Sequence, residues 1–210
     1  MKLSRGKTVL LGKQCTDYMP TFTLITVNLI IYGYTAFLSR NVFAISNSVL
    51  QVYGQFNILV FNGWYWQLFT SIFIHLNLLH LLGNMFFLLI FGLRAEEIFS
   101  LGEYLAVYFL SGLIGNLLTL LLGPWTVSAG ASGAIFGMFG AVTMYLRKSF
   151  GQSVIGALMF SFFLLLITSG DEQVNVFAHL GGLVAGLIIG YLLAKSRVSQ
   201  IVYRYSVVVH

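Results

Sequence analysis

The sequence predicts an all-α membrane protein, a bundle of six transmembrane helices. Three observations lead there. Hydrophobic residues make up 58% of the chain and charged residues only 8%, where a soluble domain carries roughly 25%. The apolar residues gather into stretches near the length of about 20 residues that a helix needs to cross the hydrocarbon. Once those stretches are drawn as crossings, the basic residues fall almost entirely on one side.

Each element follows from apolar length between polar breaks. Span one runs from about Thr21 to Leu38 behind Pro20, whose missing N–H costs nothing at a helix start. Span two covers Leu68 to Leu93, span three Tyr104 to Leu122, and span four Ala131 to Leu146. Span five covers Val154 to Ser169, and span six Val176 to Ala194. The segment Ser39 to Gly63 carries Asn47, Gln51, Gln55 and Asn57, too polar for a crossing. It is expected in the interface as a partly inserted loop.

Six crossings put both ends on one side. Lys2, Arg5, Lys7, Lys13, Arg94, Arg147, Lys148, Lys195, Arg197 and Arg204 fall on that side, and Arg40 alone falls opposite. The positive-inside rule makes it the cytoplasm. Trp64, Trp66 and Trp125 land at the outer interface, as an aromatic belt predicts. The expected organisation is a cytoplasmic leader over residues 1–19, a membrane domain over 20–195 and a cytoplasmic tail over 196–210. The leader's apolar part, TVLLG, is too short for a signal-peptide core. The single cysteine, Cys15, excludes an internal disulfide and any cysteine-based metal cluster. The net charge of +5 belongs to topology, so no nucleic-acid partner is expected.

Polar residues on three helices share one depth. Ser132 lies 15 residues before Arg147, His179 16 before Lys195 and His80 14 before Arg94. At about 1.5 Å rise per residue, each sits on the order of 21–24 Å above its inner anchor. That level is below the outer surface of a core about 30 Å thick, yet above its midplane. Small residues say which helices meet. Gly133, Gly137 and Gly140 follow helical spacing in span four, and Gly182, Gly186 and Gly190 form a GxxxGxxxG ridge in span six. If the ridges pack, Ser132 and His179 face each other. Taken alone, the serine and the glycines read as helix packing. An intramembrane histidine at the same depth is costly and points to a site. In span two, within HLNLLHLLGN, His80 and Asn84 stand i, i+4 on one face. They read either as an interhelical hydrogen bond or as donors aimed at Ser132. His75 either lines the cavity or sits in the interface.

GASGAIFG in span four, AHLGGLVAG in span six and HLNLLHLLGN in span two resemble the rhomboid intramembrane serine proteases in their minimal six-helix form. The resemblance implies that Ser132 is the nucleophile and His179 its general base. It assigns His80 and Asn84 to the oxyanion hole, with backbone N–H groups at Ser132 and its neighbours. Phe136 matches the aromatic position that packs on the catalytic histidine, often tyrosine. Gly130 and Gly133 frame the serine within the motif, and His75 belongs to the supporting set. Where the family often has a Trp-Arg pair before span two, this chain reads Trp66-Gln67. The acidic turn LRAEEIF after span two is also similar, and structural.

Chemistry fits those roles. A serine hydroxyl needs an adjacent base, and an imidazole with an unperturbed pKa of about 6.5 is mostly neutral at pH 7. Asp17, Glu96, Glu97, Glu103, Asp171 and Glu172 all map to ends or loops, so a Ser-His dyad is expected rather than a triad. No cofactor or metal is implied. The expected function is a serine endopeptidase cutting single-pass transmembrane proteins within the lipid. The substrate helix must unwind locally to expose its carbonyls. Span five, with its SFFLLLITSG end, is the expected lateral gate. The expected setting is a prokaryotic cell membrane, with the site open to the outer side. Two alternatives stand: a proteolytically inactive binder of membrane clients, and a transporter using His75, His80 and His179.

Overall fold

The computed structural model describes residues 19–150, 156 and 175–208, with backbone alone at 150 and 198–208. Helix α1 spans Met19–Ser39. A run of short elements follows: α2 (Asn47–Tyr53), strand β1 (Gln55–Phe56), α3 (Asn57–Phe61), α4 (Gln67–Thr70) and a 3-10 turn (Ser71–Phe73). Then come α5 (Leu78–Ile98), α6 (Leu101–Thr119) with a 3-10 extension (Leu120–Leu122), strand β2 (Val127–Ser128), α7 (Ser132–Phe150) and α8 (Val176–Val208). The expected span five, Val154 to Ser169, lies outside the described residues apart from Gly156, as do the leader and Cys15.

Among the described residues, four helices are long and apolar enough to cross a membrane: α1, α5, α6 with its 3-10 extension, and α8 over Val176–Arg197. Their mean hydropathies are 1.5, 1.7, 2.0 and 2.0. The protein is therefore a mostly helical, polytopic membrane protein. Helix α7 is less apolar for a reason of place. It packs against α5, α6 and α8, and every residue from Gly133 to Val142 is buried. A helix ringed by protein is free to carry glycine and serine where its neighbours carry leucine.

Two boundaries differ from expectation. Span two begins at Leu78 rather than Leu68, because Gln67–Phe73 coil into short turns and Asn77 caps the long helix, its Oδ1 accepting from His80 N at 2.8 Å. Apolar length alone merged the turns with the helix. Helix α8 also runs on past Ala194 to Val208, without a break at the polar residues.

The loop between α1 and α5 turns polar residues inward. Gln55 and Asn57 are fully buried. Gln55 Nε2 donates to Asn57 Oδ1 and to Asn116 O at 2.8 and 2.9 Å, and Asn57 Nδ2 to Thr119 O and Gly123 O at 2.9 and 2.8 Å. They read as polar breaks in the sequence, and they are cross-links to the C-terminal end of α6 and the turn after it. Strands β1 and β2 pair antiparallel, Gln55 opposite Ser128 and Phe56 opposite Val127, which ties this loop to the segment leading into α7. Gln67 holds it from below. Its Nε2 donates to Gln51 O at 2.7 Å and Val52 O at 3.1 Å, and its Oε1 accepts from Phe56 N at 2.9 Å. A buried neutral amide thus satisfies both a donor and acceptors of a part-buried backbone turn.

The glycine ridges meet. A Cβ on Gly182 would stand 1.9 Å from Gly133 O, one on Gly186 1.9 Å from Gly137 O, and one on Gly190 2.3 Å from Ala141 O. On α6, a Cβ at Gly115 would stand 2.4 Å from Ala178 O. Three helices therefore touch backbone to backbone, the close approach that small residues permit in lipid. At the other end, Glu96 is buried and accepts from Thr21 N at 2.7 Å, and Arg94 pairs with Glu97. Arg197 joins Ile98 O, Tyr145 OH and Glu103 at 2.8, 2.9 and 2.5 Å.

Candidate active site

Ser132 is the first residue of α7, His179 lies in the first turn of α8, and His80 lies in the first turn of α5. The shared depth read from sequence is thus a meeting of three helix N-termini, each carrying partial positive charge. Local devices start each helix. Asn77 caps α5, and Asn175 caps α8, its Oδ1 accepting from Ala178 N at 3.0 Å. Between β2 and α7, Gly130 has φ 137°, in the region that favours glycine. A Cβ there would also stand 2.8 Å from His80 Cε1 and 3.6 Å from Ser132 Oγ. Gly130 therefore keeps open the space where the imidazole of His80 lies beside the hydroxyl.

His179 Nε2 and Ser132 Oγ are 2.7 Å apart. The ring of Phe136, one turn along α7, stacks on the imidazole at 4.7 Å between centroids and 27° between planes. Among the described residues, His179 Nδ1 has no hydrogen-bond partner. The described carboxylates bond elsewhere, Glu96 to Thr21, Glu97 to Arg94 and Glu103 to Arg197. Among the described residues, the ring of Phe136 is what packs on this imidazole and orients it.

His80 and Asn84 line the same cavity as Ser132 and His179, a space of about 390 Å³. Asn84 Nδ2 donates one hydrogen to His80 O at 2.8 Å, and an amide nitrogen carries two. His75 does not line the cavity. It is fully buried, its ring 5.3 Å from that of His80 and inclined at 65°. The segment Ile74–Asn77 leads into α5 in extended form and turns this side chain inward, behind His80. Among the described residues, no three His, Cys, Asp or Glu side chains converge as a metal site.

Sequence reasoning missed Asn175, Ser128 and Asn116, which also line the cavity. For Asn175 a signal existed, since an asparagine directly before an apolar run marks a helix start. Ser128 and Asn116 carried none. Their positions depend on the β1–β2 pairing and on hydrogen bonds from Asn116 Nδ2 to Leu68 O and Ser71 Oγ at 2.8 and 2.9 Å.

Fold and site together define a polytopic helical membrane protein with a serine–histidine pair at the wall of a cavity among its helices. Residues 62–196 match the Rhomboid domain family, and the chain belongs to the rhomboid family. It is similar to Rhomboid-like protease 3 of Toxoplasma gondii, 35% identical over 133 residues, which cover 58% of this chain and 49% of that protein. It is similar to Rhomboid protease GluP of Bacillus subtilis (strain 168), 32% identical over 173 residues, 80% of this chain and 34% of that protein. YdcA of the same organism is 34% identical over 150 residues, 68% of this chain and 74% of that protein. The chain spans half or less of the length of the first two relatives.

Proposed function

We propose that this protein is an intramembrane serine endopeptidase that cleaves single-pass membrane proteins in or near their transmembrane segments. The observation that carries the reading is the 2.7 Å approach of Ser132 Oγ to His179 Nε2 beside a cavity. Membership of a family whose relatives are named proteases supports it. In this reading the domain has six crossings: the four apolar helices, α7 at their centre and Val154 to Ser169. Both termini lie in the cytoplasm of a prokaryotic cell, and the cavity opens to the outer side.

The chemistry follows from the residues. His179 Nε2 accepts the hydroxyl proton as Ser132 Oγ attacks the scissile carbonyl carbon. Negative charge collects on the carbonyl oxygen. The first N–H groups of α7 have no partner within the helix, and they receive that charge together with Asn84 and His80. His179 then gives the proton to the leaving amine, and the C–N bond breaks. Water, deprotonated by the same imidazole, releases the acyl group from Ser132. Phe136 holds the ring in plane through both steps. The converging helix dipoles add to the stabilisation of the anion.

The test is cleavage of a model transmembrane substrate by purified protein in proteoliposomes. Wild type cleaves; Ser132→Ala and His179→Ala lose about 10³-fold or more in kcat, since both act as one unit. A fluorophosphonate probe labels wild type and not Ser132→Ala. Cleavage by either variant at the wild-type rate, or no labelling of an intact wild type, overturns the reading.

A further inference from the structure

Glycine contacts hold α8 as far as Ala178, beside His179: the Ala178 carbonyl would stand 2.4 Å from a Cβ on Gly115 and 3.1 Å from one on Gly133. Ahead of Ala178 the helix end is held by polar bonds. Asn175 stands there with both ends of its amide engaged. Its side-chain oxygen accepts from Ala178 N at 3.0 Å and its main-chain oxygen from His179 N at 3.2 Å. Its nitrogen donates one hydrogen to Thr119 Oγ1 at 2.7 Å and the other to Ser128 Oγ at 2.8 Å. Thr119 spends its own proton on Gly115 O at 3.1 Å, so toward Asn175 it only accepts. Capping a helix needs the oxygen alone. The nitrogen does something further: it ties the first turn of α8 to the end of α6 and to β2, four residues ahead of Ser132. Gly130 N, donating to Ser71 O at 2.9 Å, fixes the turn that lies between.

We propose that Asn175 is a positioning residue, setting His179 against Ser132 by bridging the start of α8 to the strand that leads into the nucleophile. The proposal rests on the proteolytic reading above for its kinetic consequence, though not for its geometry. The side chain touches neither reacting atom; it acts through the helix end that carries the imidazole. Asn175→Ser separates the two functions, since a serine keeps the cap and is too short to span both hydroxyls.

The experiment uses the full chain in proteoliposomes with a model transmembrane substrate. Asn175→Ser is expected to lower kcat by up to about 10²-fold, the scale of an ångström-sized misplacement, with KM kept and the melting midpoint lowered only modestly by the loss of two neutral hydrogen bonds. Adding Ser128→Ala to it should cost nothing further, as for two members of one bridge. The second readout needs no catalysis. In protein with ¹⁵N-labelled histidine, the His179 Nε2 resonance should move in Asn175→Ser toward that of an imidazole without a hydrogen-bond partner. A wild-type kcat in Asn175→Ser, a loss confined to KM or melting, or an unmoved His179 resonance overturns the proposal. If wild type fails to cleave, the proteolytic reading falls, and the resonance still decides whether Asn175 positions the ring.

Discussion

At the scale of single residues, each side chain around Ser132 has a distinct task, and substitutions should separate them. Asn84→Ala removes the amide that lines the cavity beside Ser132, so on the proposed mechanism kcat should fall by about 10²-fold with KM kept, read in the same cleavage assay. Phe136→Tyr keeps the ring that stacks on His179 and should retain activity, whereas Phe136→Ala frees the imidazole and should lower kcat. Gln67→Ala leaves Phe56 N and two carbonyls without their partner. It should destabilise the fold by about 1–3 kcal/mol, seen as a lower melting midpoint. The meeting of Ser132 and His179 was legible in the sequence, because depth can be counted from a charged anchor and glycine ridges declare their partner. The position of His75 was not, since nothing in its spacing tells that the chain before α5 is extended and faces inward. Nor was the work of Gln67, whose partners are backbone groups of a loop distant in sequence.

At the scale of elements, α7 and α8 meet by shape along their glycine ridges, with polar bonds toward the two ends, Ser132 to His179 and Tyr145 to Arg197. Gly186→Ala would set a methyl group 1.9 Å from Gly137 O and part the two helices. It should reduce both activity and melting midpoint. Gly102→Ala is the contrasting case. Nothing lies within 4 Å of its Cβ position, so activity should be unchanged. The long helices were readable from apolar length. The boundary at Leu78 was missed because apolar turns and apolar helix have the same composition. The partners of the buried amides in the loop before α5 were not legible for a related reason. In lipid a polar residue either faces water or finds a buried partner, and sequence alone does not say which.

At the scale of the whole molecule, the chain surrounds one small-residue helix with apolar ones and gathers three helix N-termini at one level. Hydropathy reports the ring of lipid-facing helices and understates the centre, where the candidate nucleophile sits. The chemistry drawn from these residues calls on a hydroxyl, imidazoles and N–H donors, and on no metal-bound water. Cleavage should therefore continue in the presence of a chelator such as EDTA, and loss of cleavage that added zinc restores would count against the dyad.

The backbone contacts between α7 and α8 recur every fourth residue, like the teeth of a rack. One rod has no small step available along the other, because each carbonyl is lodged in a notch that only a glycine leaves open. The shortest slip is one whole notch, about 6 Å at 1.5 Å per residue, and it would carry the hydroxyl and the ring out of reach of one another. Alignment of the pair is accordingly digital, either in register or lost. Any give around the cavity has to come from other walls of the bundle.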